Sequence, residues 1–395
     1  MSPLDGLLVI DLSRILAGPF ATMSLGDMGA EVIKVEEPGQ GDDTRRWGPP
    51  FVQGESTYFL SINRNKKGVT LNLKSARGKQ MLWRLIERAD VLVENFRPGT
   101  LERLGFGFEA VAARRPSLVY CSISGYGHTG PRRGEAGFDV TVQGESGVMS
   151  VTGFPDGPPV KMGVSIADIV AGLYAVQGIL LALVARGRTG RGQKVDIALL
   201  DGMVSTLTYQ AGIYFGGGRN PARLGNRHPS LAPYEPFKAQ DDYIIIAVGN
   251  EGLWRRFCEA IGRPALADDE RFATGARRVE NYEALRRTLD PIIAARPAAE
   301  WQEVIKRHEV PCGLVRSVEQ ALSDPQLAAR GMIAEVTHPV AGPIKLVGPP
   351  VHLSDTPGAV RTPPPTLGQH NDKVYQKYLG YDAETLAHLR AEGVI

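Results

Sequence analysis

Gly6-Leu-Leu-Val-Ile-Asp11-Leu and Ala30-Glu-Val-Ile-Lys-Val-Glu36 are two short apolar runs bounded by turn residues. That is the pattern of buried strands. Between them Ser13 to Gly18 reads as a loop, and Pro19 can open a helix because the first helical position has no use for its N–H. The helix is expected over Phe20 to Met28. Strand, loop, helix and strand make one βαβ unit, and such a unit implies a parallel sheet. The alternation continues outward. A strand is expected over Gly68–Leu73, an amphipathic helix over Ser75–Ala89, a strand over Asp90–Glu94, a short helix containing Arg103, and a strand over Leu118–Ser124. The fold class is a doubly wound α/β domain, whose ligands bind where strands end at their C-termini.

A second stretch carries the chemistry: Gly163-Val-Ser-Ile-Ala-Asp168-Ile-Val-Ala-Gly172-Leu-Tyr-Ala-Val-Gln-Gly178-Ile-Leu-Leu-Ala-Leu-Val-Ala-Arg186. From Ile169 on, apolar residues fall on nearly every helical face, as in a buried helix. The length would also suit a short membrane span. Gln177, Gly172 and Gly178 interrupt it and a charged, glycine-rich turn closes it, so a central helix of a soluble protein is expected. Asp168 at its mouth has two readings. It is an N-cap for the first free amides, or it is a carboxylate aimed into a cleft as a nucleophile, with Ser165 supplying the cap. Residue pattern alone leaves both open.

The 395 residues are 43% hydrophobic and 22% charged, with a net charge of +2. This is an ordinary globular composition, and the near-balanced charge gives no support for a nucleic-acid or membrane partner. Cys121, Cys258 and Cys312 are scattered, which fits a reducing compartment, the cytoplasm, without disulfides. Met1-Ser-Pro-Leu-Asp leads straight toward a strand, so no targeting segment is expected. The seven histidines have no ligand spacing, so a metal site is not expected. Gly125-Tyr-Gly-His-Thr-Gly130 fits G-x-G-x-x-G, but Pro131-Arg-Arg-Gly follows where a dinucleotide site needs an apolar helix. It is read as a loop near a pocket. Arg45 and Arg46 beside Trp47 are more than the loop Pro38–Pro50 requires. Beyond the expected helix Asp201–Tyr214, Gly216-Gly-Gly-Arg-Asn-Pro is a break. Residues 225–331 hold a hairpin and several helices, a smaller α+β domain. Residues 332–395 are strand- and proline-rich before two closing helices.

Several segments together resemble the family III CoA-transferases, of the CaiB/BaiF type. They are Leu16-Ala-Gly-Pro19, Leu25 to Glu36, Asn63-Arg-Asn-Lys-Lys67, Val93-Glu-Asn-Phe-Arg-Pro-Gly99, Ser124-Gly-Tyr-Gly127, Gly153-Phe-Pro-Asp-Gly-Pro-Pro159, and Asp168 with its helix through Gln193. The resemblance implies an interlocked homodimer. Each chain would have a Rossmann-like large domain built from both chain ends (1–200 and 332–395), a linker (201–224) and a small domain (225–331).

It also implies chemistry. Asp168 would attack an acyl-CoA thioester and pass through an aspartyl–acyl anhydride and an aspartyl-CoA thioester, with no cofactor beyond CoA as substrate. The family's CoA contacts fall on Leu16, Ala17, Leu71, Lys74, Asn95, Phe96, Arg97, Arg103, Ala136, Phe138 and Asp139. Lys74 and Arg103 would meet CoA phosphates, although by pattern alone each is a solvated helix face. Racemases of the same superfamily place a His where Phe138 stands here, which favours transfer over 2-methylacyl-CoA racemisation. Gly41–Phe51, Glu55–Tyr58, Ala247–Asn250 and Pro364–His370 resemble the subgroup that moves CoA from succinyl-CoA to a dicarboxylate such as glutarate. Arg45, Arg46, Arg227 and His228 are candidates for the second carboxylate, and Gly249 and Asn250 for a loop over the substrate.

Overall fold

In the computed structural model, which describes residues 2–395, the βαβ reading becomes a six-stranded sheet. Its strands are β1 (Leu8–Asp11), β2 (Glu31–Glu36), β3 (Lys66–Thr70), β4 (Val91–Glu94), β5 (Val119–Ser124) and β6 (Lys194–Ala198). Every pairing is parallel, in the order β3-β2-β1-β4-β5-β6. The order reverses between β1 and β4. In such sheets the crevice beyond the strand ends at that reversal is the place for a ligand. Met1, with which the first expected domain begins, lies outside the described residues.

Helix α1 (Ala17–Asp27) starts two residues before the expected proline start. Pro19 still costs nothing there, because the first turn's amides have no intrahelical acceptor. Helix α2 (Ala76–Ile86) is capped by Ser75, whose side chain accepts the Gly78 amide, and it buries Met81, Leu82, Leu85 and Ile86 against one face of the sheet. The Asn63–Lys67 segment is a staple. Arg64 donates to Asp27 at 2.9 and 2.7 Å, and Asn65 accepts from the backbone of Arg361 and Thr362. The chain's last part thus returns to the sheet. His370 and Gly68 exchange hydrogen bonds, and Tyr375 donates to the Thr70 carbonyl at 2.7 Å. This covers the open edge of β3, which would otherwise template aggregation.

The chain divides into two compact units. One takes the residues up to Val148, residues 161–212 and residues 325–395, and holds the six-stranded sheet and the antiparallel pair Ile333–His338 and Gly342–Val347. The other takes residues 149–160 and 213–324. In it Tyr243–Ala247 pairs antiparallel with both Tyr234–Lys238 and Cys312–Leu314. Helices Glu251–Ala260, Tyr282–Ile293 and Ala298–Arg307 lay Trp254, Phe257, Leu289 and Trp301 into its core. The short strand Cys312–Leu314 and the helix Gly275–Glu280 were not expected. The helix expected over Asp201–Tyr214 is two, Leu199–Ser205 and Thr208–Gly217, and the second runs past the expected break at Gly216.

The long apolar segment is helix α4 (Ile166–Thr189), which runs without interruption. α3 is the short helix Asp139–Glu145 before it. Two expectations about α4 are corrected. Its glycines are contact points rather than breaks. A Cβ on Gly172 would stand 2.8 Å from the Ala17 carbonyl, and one on Gly178 2.5 Å from Val195. Nor is α4 buried all round. Its small residues Ala167, Ala171, Ala175 and Ala182 pack on α1 and the sheet, whereas Leu173, Leu181 and Val184 are 53%, 62% and 58% exposed. Apolarity on every face records two different apolar surfaces, and only one of them belongs to this chain's own core. By length and hydropathy alone α4 could cross a membrane.

Gly172→Val should therefore destabilise the protein by about 1–3 kcal/mol, because the obstacle is backbone and cannot swing away. Gly187, with nothing within 4 Å of an added Cβ, provides the contrast. Gly187→Ala should stabilise by about 0.5–1 kcal/mol through lost chain entropy. Chemical denaturation of both variants reads the difference.

Candidate active site

The loops that follow β1 and β4 enclose a cavity of about 630 Å³ at the point of order reversal. Arg14, Ile15, Leu16 and Ala17 come from the first loop, Asn95 to Pro98 from the second, and Ile123 to Gly125 from the end of β5. Ala136 to Phe138 and Asp168 complete it. A second cavity of about 440 Å³ shares Arg14, Asp43, Phe96 and Thr100 with the first and extends past the ends of β2 and β3 to Leu71, Lys74 and Arg103. The expected CoA contacts thus divide between the two. Leu16, Ala17, Asn95, Arg97, Ala136 and Phe138 stand with Asp168, Leu71, Lys74 and Arg103 stand in the extension, and Phe96 is the wall between.

Asp139 is the exception, and it decides what Asp168 does. One of its carboxylate oxygens accepts the Ala167 amide at 2.8 Å and the other accepts from Gln143 at 2.8 Å. Ala167 is in the first turn of α4, where amides lack intrahelical partners. The cap therefore comes from Asp139, across from the preceding short helix. Ser165 holds the N-cap position without a side-chain cap bond. Asp168 is left free of a capping role. Burial pushes its carboxyl up to about 7, and the Asp139 charge adds to the rise. Tyr58, which the motif reading quoted but did not single out, is pushed up to about 12 by burial and then by the charges of Asp168 and Asp139.

The wall opposite is made by the β1–α1 loop. The amides of Leu16, Ala17 and Gly18 make no close hydrogen bond among the described residues. These are donors at a helix N-terminus, suited to developing negative charge. Ile15 has φ 69°, a left-handed conformation that costs a β-branched residue about 1–3 kcal/mol. Asn95 ties the loop across the reversal point. Its side chain accepts from the Arg14 amide at 2.8 Å and donates to the Arg14 carbonyl at 2.7 Å. Behind Phe96, Glu94 accepts the Phe96 amide at 2.8 Å and a hydrogen bond from Ser122. Burial raises Glu94 to about 7. Gly125 does lie at a pocket, as expected of its loop, and it approaches Gly137 so closely that a Cβ would stand 2.6 Å from the Gly137 Cα. That contact places the segment leading to Phe138, which is 63% exposed.

The candidates for a second carboxylate fare differently. Arg45 is already committed: it grips Glu36 with two bonds of 2.7 Å and stacks over Phe59 at 3.6 Å. Its guanidinium is not available to a substrate, which corrects that expectation. Arg46 is exposed and donates to Gln40 and Asp43. Arg227, His228, Gly249 and Asn250 belong to the second unit. There Arg227 lies over the Tyr282 ring at 3.9 Å, the His228 ring packs on Tyr234, and Asn250 caps the helix Glu251–Ala260. Arg14, which no motif marked, lines both cavities and pairs with Asp43. Among the described residues no cluster has metal-ligand character, and no histidine lines the cavity holding Asp168.

Residues 4–371 match CoA-transferase family III. The chain belongs to that family. It is 42% identical over 395 residues to succinyl-CoA:glutarate CoA-transferase of Mus musculus, covering 100% of this chain and 91% of the relative. It is 44% identical over 353 residues to acetyl-CoA:oxalate CoA-transferase of Acetobacter aceti, covering 89% of each. A CaiB/BaiF family protein from Brucella suis superposes with a TM-score of 0.85 at 41% identity, covering 95% of this chain and 99% of the other. This CoA-transferase therefore places its family's match on the sheet whose reversal point carries Asp168.

The raised Asp168 has a measurable consequence for the enzyme's stability. Unfolded, the carboxyl titrates near ~4; folded, near about 7. Between these values the native state binds the extra proton, so stability falls as pH rises through the window and stays reduced above it. Asp168→Asn cannot ionise. Its melting temperature should exceed that of the parent above pH 7, with the gap closing toward pH 4. A constant gap at all pH values would show that the carboxyl titrates normally.

Proposed function

We propose that the enzyme moves CoA from succinyl-CoA to a dicarboxylate of the glutarate kind, with Asp168 as the covalent nucleophile. The observation that carries the reading is the uncapped, burial-raised carboxyl of Asp168 in one cavity with Leu16 and Ala17 at the start of α1. Asp168 attacks the thioester carbonyl, the amides stabilise the oxyanion, and CoA thiolate leaves, giving an aspartyl–acyl anhydride. The thiolate then attacks the aspartyl carbonyl. The donor acid departs and an aspartyl-CoA thioester remains. The acceptor carboxylate displaces CoA thiolate from it to form a second anhydride. The thiolate takes the new acyl group and Asp168 is restored. One thioester is exchanged for another, so no energy source is required. Deprotonation at an α-carbon by two bases, the racemase alternative, has Phe138 where a second base would stand.

CoA is expected to run from the second cavity, with Lys74 and Arg103 near its phosphates, past Phe96 to Asp168. The exposed aliphatic face of α4 supports an obligate second copy covering it, as in the interlocked homodimer. Free cysteines, two of them buried, fit a cytoplasmic setting. The glutarate preference rests on the relatives named above and on a cavity that offers a cation to a second carboxylate.

Incubation with succinyl-CoA followed by hydroxylamine should leave a hydroxamate on Asp168, detected by peptide mass mapping. Asp168→Ala should reduce CoA exchange to background. A fully active Asp168→Ala protein would end the proposal.

Arg14 is the cation of choice for the acceptor's far carboxylate, because it lines the cavity with Asp168. Arg14→Ala should raise KM for a dicarboxylate acceptor about tenfold, the scale of one lost charged hydrogen bond, and leave a monocarboxylate unchanged. Equal losses for both acceptors would assign Arg14 to CoA instead.

A further inference from the structure

We propose that Lys34 and Asp42 are positioning residues for the transfer reaction: their buried ion pair holds Ile15 in its left-handed conformation, and so aims the first amides of α1 at the substrate beside Asp168. The inference rests on the reading of Asp168 given above and adds to it the part of the protein that fixes the opposite wall.

The geometry is continuous from the pair to the cavity. The Lys34 ammonium, on β2, donates to Asp42 at 2.9 Å and to the Ser13 carbonyl at 2.9 Å. Both side chains are wholly buried. Asp42 accepts the Ile15 amide at 3.2 Å on each oxygen and is itself fixed by the Thr44 amide and hydroxyl at 3.0 and 2.8 Å. The Ser13 amide is held by Asp11 and the Arg14 amide by Asn95. Residues 13, 14 and 15 therefore have their amides held by side chains, whereas those of residues 16, 17 and 18 make no close hydrogen bond. The change falls at Ile15, the one residue of the loop with positive φ.

A β-branched side chain resists that conformation, because its Cβ crowds the following carbonyl. It persists only where the surroundings over-determine it. Here the surroundings are one buried cation and one buried anion. Gly18 must lie close to the same loop, since a Cβ there would collide with Ser13. The loop has no room to take up a second arrangement that keeps α1 in place. Lys34 and Asp42 also lie along the second cavity. A role in binding CoA there predicts a different kinetic signature from a role in aiming the amides, and the test separates the two.

The pair is removed as a unit, Lys34→Met with Asp42→Asn, so that no unpartnered charge is left between them. The expected result is a fall in kcat for CoA exchange of at least about tenfold, with KM for the acyl-CoA donor changed less than about threefold, since oxyanion donors act on the transition state. Adding Ile15→Gly, which adopts the left-handed conformation without help, should restore part of the lost kcat. A rise in KM with kcat unchanged assigns the pair to CoA binding and overturns the proposal, as does a loss that Ile15→Gly leaves untouched. If the pair-neutral protein does not fold, Ile15→Pro decides alone. It forbids positive φ and removes the amide that Asp42 holds. Retained kcat in that folded variant also overturns the proposal. Asp168→Ala is assayed alongside. Activity there would sink the nucleophile reading, whereas an inactive Asp168→Ala with a fully active pair-neutral enzyme would sink only the positioning role.

Discussion

One hydrogen bond, from the Ala167 amide to Asp139, determines what the rest of the site can be. An aspartate in the first turn of a helix ordinarily satisfies a free amide and is stabilised by doing so. Asp139 performs that task from outside the helix. The same carboxylate then lies near enough to raise Asp168 further. Capping by a neighbour therefore has two effects at once. It frees a partly buried carboxyl and it makes that carboxyl more basic.

The sheet supplies the setting. Parallel strands end on one side, and where their order reverses between β1 and β4 the two following loops diverge and leave a crevice. The first loop is clamped from beneath by buried ion pairs and the second by Glu94. Burial alone would raise Asp42, but Lys34 and the Thr44 bonds bring it down to about 2. Burial draws Lys66 down to about 8 even though it faces Asp11. Such charges contribute little net stability over an apolar core, but removing one partner is costly. Asp42 and Lys34 bond the backbone of Ile15 and Ser13 in the first loop, and Asp168 lines the same cavity as that loop.

Much of this was legible in the sequence, and the gaps have physical reasons. Strands β1 and β2 and helix α2 were readable because apolar period and caps are local. Asp168 could be located but not interpreted, since its release depends on Asp139, brought near only by the fold. The exposed face of α4 was misread because hydropathy does not distinguish a chain's own core from an apolar surface left outside it. Arg45 looked like a ligand for a carboxylate, which it is, but the carboxylate is Glu36 at the end of β2. Arg14 carries no motif signal at all. It matters because the β1–α1 loop turns at Ile15, and a left-handed isoleucine is invisible in a one-dimensional pattern.

In the proposed route the raised Asp168 would also set how evenly the exchange runs in its two directions. An ordinary aspartate, near ~4, is a far better leaving group than a thiolate, near ~8.5. An anhydride formed on it would fall back to thioester and carboxylate faster than it could be used. Raising the carboxyl to about 7 narrows that gap, so attack by Asp168 on a thioester and return of the thiolate become more nearly balanced. The expected loss of stability above neutral pH and the narrowed reactivity gap would thus both follow from one placement, a partly buried carboxyl that does not cap its own helix.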